Sequence, residues 1–420
     1  MVFLSKIYKM KKLFYSCIFI FFCSYILKGQ THSISLNNGY SNQSFFSLSN
    51  GEISNVSNDN WDLAFATDPF STAIRINGGK GVELYNYDLG DTSDWSVIDN
   101  NVINLLSNPI NNSDTSWQIG AFNLHSTGGF DYSWGVYNMA THYVIGDSLF
   151  IIKSINGNWK KLWIKSKISG DYIIQYSNLD GSNLISTLID ATNYPNRRFI
   201  YFSLDQQTII NREPIIEDWD ITFTKYITNV QGTPYSVTGV LTNSGIKSAK
   251  VTNISDPNDF VDYQAQQFFS EINNIGYDWK YFQMGSGYII DNSRCYFVKD
   301  NNQQIWRIIF NDFEGTSTGN ILFNLEQMNV SNNSNINFVN TFEIYPNPTS
   351  DYINIVYELE NEFKLQICNI HGQVIYSSDL NSHSFIQQNL SISEYECGIY
   401  FVKIFDNNNN YLVKKLNIIK

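Results

Sequence analysis

NWDLAF (residues 60–65) and DWDITF (residues 218–223) write one short pattern twice in a chain of 420 residues. In each, Trp-Asp leads into an alternation that ends on Phe, as in a strand laying one face on a core. The flanks repeat as well. SFFSLSNGEISNVSNDNW (44–61) and IYFSLDQQTIINREPIIEDW (200–219) both run aromatic-Phe-Ser-Leu, polar turn, short apolar return, acidic approach, Trp. Downstream, IRINGGKG (74–81) matches VLTNSGIK (240–247), each with an Asn-x-Gly turn between strand-like runs. YSWGVYNMATHYVIGDSLFIIK (132–153) then lies against YDWKYFQMGSGYIIDNSRCYFVK (277–299), with Tyr132, Trp134, Met139 and Tyr143 falling on Tyr277, Trp279, Met284 and Tyr288. Matching segments in one order make a duplicated domain.

Each segment alternates apolar and polar residues over a few positions between Gly, Asn or Asp clusters, and none sustains a helical period. Aromatic residues make up 15% of the chain and charged residues 16%, a mixture that favours strands. The predicted class is all-β: tandem antiparallel domains over 31–191 and 195–330, an Asn/Ser-rich linker over 331–340, and a small C-terminal β-sandwich over 341–420. Trp61 and Trp219 are expected as core anchors, with Asp62 and Asp220 on the opposite side of the pleat.

The first 29 residues carry five lysines and no acid, followed by the uncharged, largely apolar run Leu13–Leu27 and the small Gly29. This pattern predicts a cleaved secretory leader over 1–29, with translation starting at Met1 or Met10 and no membrane span left in the mature chain. The net charge of −12 makes nucleic acid and anionic membranes poor partners. Beyond the leader only Cys295, Cys368 and Cys397 remain, too few for a disulfide framework. Cys295 is expected in a core, and pairing of Cys368 with Cys397 stays open. No HExxH, GxSxG, Walker or GxGxxG motif stands in its proper context, so the chain is expected to bind rather than catalyse.

The ordered set aromatic-Phe-Ser-Leu, Trp-Asp-x-x-Phe, Asn-x-Gly, Tyr-x-Trp, Tyr-rich strand and Trp-Lys/Arg strand resembles the HmuY-like family of Bacteroidetes surface proteins. That resemblance implies a β-sandwich-like fold with an outward-facing cleft, haem as ligand, and a host or environmental carrier as haem donor. Haem needs axial ligands, usually His or Met. Of five histidines, His32 follows the leader and His371 and His383 lie near the C-terminus, which leaves His125 and His142 flanking a segment that also carries Met139. Repeat 2 has Gly287 at the His142 position and keeps only Met284, so a bis-His site is confined to repeat 1. The competing account makes Met139 and Met284 repeated core residues and both histidines plain surface groups. A different class, a surface adhesin or glycan-binding protein, fits the many Tyr and Asn residues.

The C-terminal segment resembles the type A sorting domain of the type IX secretion system. The resemblance is carried by Tyr345-Pro346-Asn347-Pro348, the Gly372 turn, Gly398-Ile399-Tyr400 and Lys414-Lys415. It implies delivery through the periplasm of a Gram-negative bacterium to the outer surface or medium, with the secretion machinery as partner.

Overall fold

The Trp-Asp strand of each repeat pairs with the Phe-Ser-Leu strand of the other. In a computed structural model describing residues 29–328, 339–359, 363–380, 386–405 and 411–419, strand Leu63–Ala66 is hydrogen-bonded to Phe199–Ser203, and strand Ile221–Val230 to Asn42–Ser47. The registers agree: Leu63 stands opposite Phe202, and Ile221 opposite Phe46. Residues 1–28 of the predicted leader and residues 331–338 of the linker lie outside the described residues. All-β is the class the described chain adopts, in antiparallel sheets divided into two compact units between residues 328 and 329.

The first unit has two lobes. Lobe 1 packs a four-stranded sheet, ordered Thr208–Ile210, Phe199–Ser203, Leu63–Ala66, Ile74–Ile76, against a seven-stranded sheet built around Trp159–Ile168 and Asp171–Asn178. Lobe 2 packs Gly51–Ser57, Asn42–Ser47, Ile221–Val230, Thr233–Thr242 against a five-stranded sheet built around Ile305–Phe313 and Asn320–Gln327, whose edge strand is Gln30–Ser35. The core of lobe 1 draws on residues between Leu63 and Leu204; that of lobe 2 joins Ile34, Leu36, Tyr40, Phe46 and Leu48 to residues between Ile221 and Leu325. The expected pair of self-contained copies, 31–191 and 195–330, is therefore corrected: the N-terminal hairpin leaves its own repeat and completes lobe 2. Even the irregularities correspond, since a bulge interrupts Trp159–Ile168 between Ile164 and Ser166, and Ile305–Phe313 between Phe310 and Asp312.

The exchange explains why Trp-Asp is written twice. Asp62 is buried and Asp220 half-buried; each carboxylate takes the backbone N–H of the Leu in the incoming Phe-Ser-Leu strand, Leu204 at 2.7 Å and Leu48 at 2.7 Å. Asp62 also accepts the Ile155 N–H at 2.7 Å. Burial raises both carboxyl pKa values, and these N–H donors oppose it. The neighbouring indoles are buried and clamp the incoming strands from the other face: Trp61 meets Tyr201 at 4.8 Å and Trp219 meets Phe45 at 5.1 Å, both edge-on. The Asn-x-Gly residues finish the latch, because Asn77 donates to the Trp61 carbonyl and Asn243 to the Trp219 carbonyl. Where the chain crosses between lobes, the buried Arg212 guanidinium donates to Ser57 O and Gln43 Oε1, each at 2.8 Å.

The second unit sandwiches a three-stranded sheet (Val339–Tyr345, Tyr352–Leu359, Ile386–Ser391) against a four-stranded one (Val374–Leu380, Phe363–Asn369, Gly398–Phe405, Tyr411–Ile418). Ile353, Ile355, Leu365, Ile367, Val402, Ile404 and Leu416 fill the space between. Cys368 and Cys397 are both free thiols, and Cys295 is buried in lobe 2.

Candidate functional site

In lobe 1 the strands Gly135–Asn138 and Tyr143–Gly146 form a hairpin that continues the seven-stranded sheet beside Trp159–Ile168; a Cβ at Gly146 would sit 1.7 Å from the Ile164 carbonyl oxygen. Its turn is set by Asn138, whose side chain accepts the N–H groups of Ala140 and Thr141 and whose backbone carbonyl accepts that of His142. This closure puts His142 at φ 60°, in the left-handed region, where lobe 2 has Gly287 at φ 84°. A side chain there is under backbone strain that glycine escapes. Its Nδ1 stands 2.8 Å from the Tyr137 hydroxyl.

His142 lines a cleft of about 640 Å³. Tyr137 and Phe130 form one wall, stacked at 5.6 Å, and the Phe130 carbonyl accepts the Tyr137 N–H. Tyr132 and Val144 continue it, and Phe70, 95% exposed, stands on a loop at another side. That loop is held from beneath: the Trp134 indole N–H donates to Thr72 O, the Tyr172 hydroxyl to Ser71 O, and the Lys167 ammonium to Asp68 O and Ser71 O. Lys167 also lines the cleft, and burial brings its pKa down to about 8 against the pull of Asp68 and Asp171.

Lobe 2 lacks His142 and Lys167 in equivalent positions. Past the shared bulge Phe313 takes the place of Lys167, and it packs on Trp279, Tyr288 and Tyr40 with ring separations of 5.7, 4.7 and 6.0 Å. An ammonium arrives there from another strand: Lys280, following Trp279 as Gly135 follows Trp134, is turned inward against the Trp279 and Phe313 rings at 3.9 and 4.5 Å. Burial lowers its pKa to about 7, opposed by Asp278.

Of the three residues singled out as haem ligands, the cleft is lined by His142 alone. His125 is exposed on the preceding loop, and Met139 is 67% exposed in the hairpin turn. Met284 is 93% exposed, so neither methionine is a core residue. Among the described residues no cluster of three or more His, Cys, Asp or Glu is placed to hold a metal ion. Sequence reasoning missed Lys167, Phe70 and Phe130. The contrast of Lys167 with Phe313 emerges only when the shared bulge sets the two strands in register.

In the second unit the Tyr-Pro-Asn-Pro turn is tied to the last strand by Asn347, which donates to the Lys415 carbonyl at 2.7 Å and accepts the Asn417 N–H at 2.9 Å. Lys414 pairs with Glu343, and Lys415 is exposed. Gly372, at φ 76°, makes the turn between Phe363–Asn369 and Val374–Leu380. Tyr400, two residues into the strand opened by Gly398, is buried with its hydroxyl on the Glu396 carbonyl.

Residues 343–420 match the family described as the secretion system C-terminal sorting domain. They are a type IX sorting domain, and the chain is addressed through the periplasm to the cell surface or the medium. The chain is also similar to an endo-acting ulvan lyase of Formosa agariphila, 22% identical over 160 residues that span 31% of each protein. The match thus spans about a third of that protein's length. Among the described residues no helix is long and apolar enough to cross a membrane.

Proposed function

We propose that this exported protein binds a ligand without transforming it, that the site is the aromatic cleft of lobe 1, and that the ligand is haem held through His142. The observation that carries this reading is the strained His142 itself: a left-handed position that glycine fills in lobe 2 is given in lobe 1 to an imidazole on the cleft rim. Residues held in such conformations cluster at ligand clamps and active sites. The Tyr137 hydroxyl fixes the ring through Nδ1 and so leaves Nε2 for iron, the arrangement by which metal-bound histidines are usually oriented. The cleft volume falls within the usual range for small-ligand sites, and the Phe130, Tyr137 and Tyr132 rings offer flat apolar area. Haem would supply the iron to which the imidazole binds.

Titration with haemin, read by the Soret band, tests the proposal. His142→Gly should fold at least as well as wild type, since glycine relieves the left-handed strain, and should lose coordination. His125→Ala should bind like wild type. A wild-type protein with no Soret shift, or a His142→Gly variant with an unchanged one, refutes haem at this site.

A second reading, glycan capture, is favoured by the exposure of Phe70 and Phe130, rings on which sugars stack, and agrees with the partial likeness to an enzyme named for acting on ulvan. Retention on immobilised ulvan without a haemin response would select it.

A further inference from the structure

The ammonium groups of three buried lysines in the first unit rest on backbone carbonyls. Lys161 donates to Trp95 O and Ile98 O and lies against the Trp95 ring; Lys280 donates to Thr238 O beside the Trp279 ring. Each of these is sealed beneath an indole. Lys167 differs. Two of its three protons go to the carbonyls of Asp68 and Ser71, the Tyr172 ring lies 4.8 Å away, and the side chain lines the cleft. Among the described residues no carboxylate forms an ion pair with it, and Asp68 and Asp171 act on it only at longer range. A buried cation without a counter-ion is costly, and it becomes useful when a ligand supplies the anion. In lobe 2 Phe313 occupies the place of Lys167 in the strand, and the ammonium that arrives there, from Lys280, is covered by the Trp279 and Phe313 rings instead of lining a cleft.

We propose that the ligand of the lobe 1 cleft carries a carboxylate and that Lys167 binds it, while the aromatic wall holds the ring system to which that carboxylate is attached. The inference rests on the cleft being the binding site, not on iron. A carboxylate on a flat ring system belongs to a tetrapyrrole, and one on a sugar to a uronic acid; the chemistry read by Lys167 is the same.

The test uses metal-free protoporphyrin IX and its dimethyl ester, followed by quenching of protein fluorescence, beside a glucuronate tetrasaccharide and cellotetraose, followed by calorimetry. The free acid should bind at least tenfold more tightly than its uncharged counterpart in one of the two pairs, and that pair identifies the source of the carboxylate. Lys167→Met should erase the preference while leaving binding of the uncharged member in place. The ratio in the unaltered protein stands on its own should the variant loosen the Phe70 loop. Equal binding within both pairs, or no binding in either, overturns the proposal. Acid preference without a haemin Soret shift would leave Lys167 as the anion site and remove haem.

Discussion

Removing residues 30–57 should unfold lobe 2 while lobe 1 stays folded. The segment places Ile34, Leu36, Tyr40, Phe45, Phe46 and Leu48 at 5% exposure or less. At about 1.5–3 kcal/mol for each buried side chain, the six contribute roughly 9–18 kcal/mol, or somewhat less if the unfolded chain is already compact. Domains are stable by only about 5–15 kcal/mol in all, so lobe 2 has no reserve to absorb the loss. It also loses an edge strand, Gln30–Ser35, and both strands on one side of Ile221–Val230. Lobe 1 keeps its whole core between Leu63 and Leu204 and loses crossing contacts such as those of Arg212 with Gln43 and Ser57 and of the Lys80 ammonium with the Gly39 and Tyr40 carbonyls. Hydrogen exchange read by mass spectrometry separates the lobes. Without 30–57, segments 221–251 and 295–327 should exchange as an unfolded chain, while 149–178 and 199–204 remain protected. A synthetic peptide of residues 30–57 added in trans should restore protection. Wild-type protection across 221–327 in the shortened protein would refute the exchanged architecture, since it would mean that the second repeat closes by itself.

Two further outcomes follow from the same geometry. Asp62→Ala strands the N–H groups of Ile155 and Leu204, whereas Asp220→Ala strands that of Leu48, so at about 1–3 kcal/mol for each unsatisfied buried donor the first should lower the urea-unfolding free energy by about 2–6 kcal/mol and the second by about 1–3. Equal losses would show that the paired acids do not latch the strands as described. Deleting residues 341–420 should leave the remainder in the periplasm, checked by fractionation and surface proteolysis; normal surface delivery would show that the address lies elsewhere.

The sequence made the all-β class and the duplication legible because both rest on short-range patterning: alternation within a strand, and the same alternation repeated after a fixed set of turns. It did not disclose which copy of Phe-Ser-Leu pairs with which Trp-Asp. Both pairings bury the same residue types in the same register, and only the path of residues 58–62 and 211–220 decides between them. A periodic pattern specifies the face of a strand, not the owner of its neighbour. The site was half legible for a related reason. His142 stood out as a rare residue type, and its alignment with Gly287 carried the decisive clue, since a glycine at φ 84° marks a position where an imidazole is retained against backbone preference. Lys167 looked like one more charged residue in an alternating strand. It becomes a candidate ligand-binding group only when the bulge shared by the two long strands sets it in register with Phe313, and when the loop at 68–71 is seen to occupy two of its protons. Duplication thus serves as an internal control: lobe 2 covers its ammonium, Lys280, with the Trp279 and Phe313 rings, whereas lobe 1 sets Lys167 on a cleft, so the difference between the copies marks where one of them departed from plain packing.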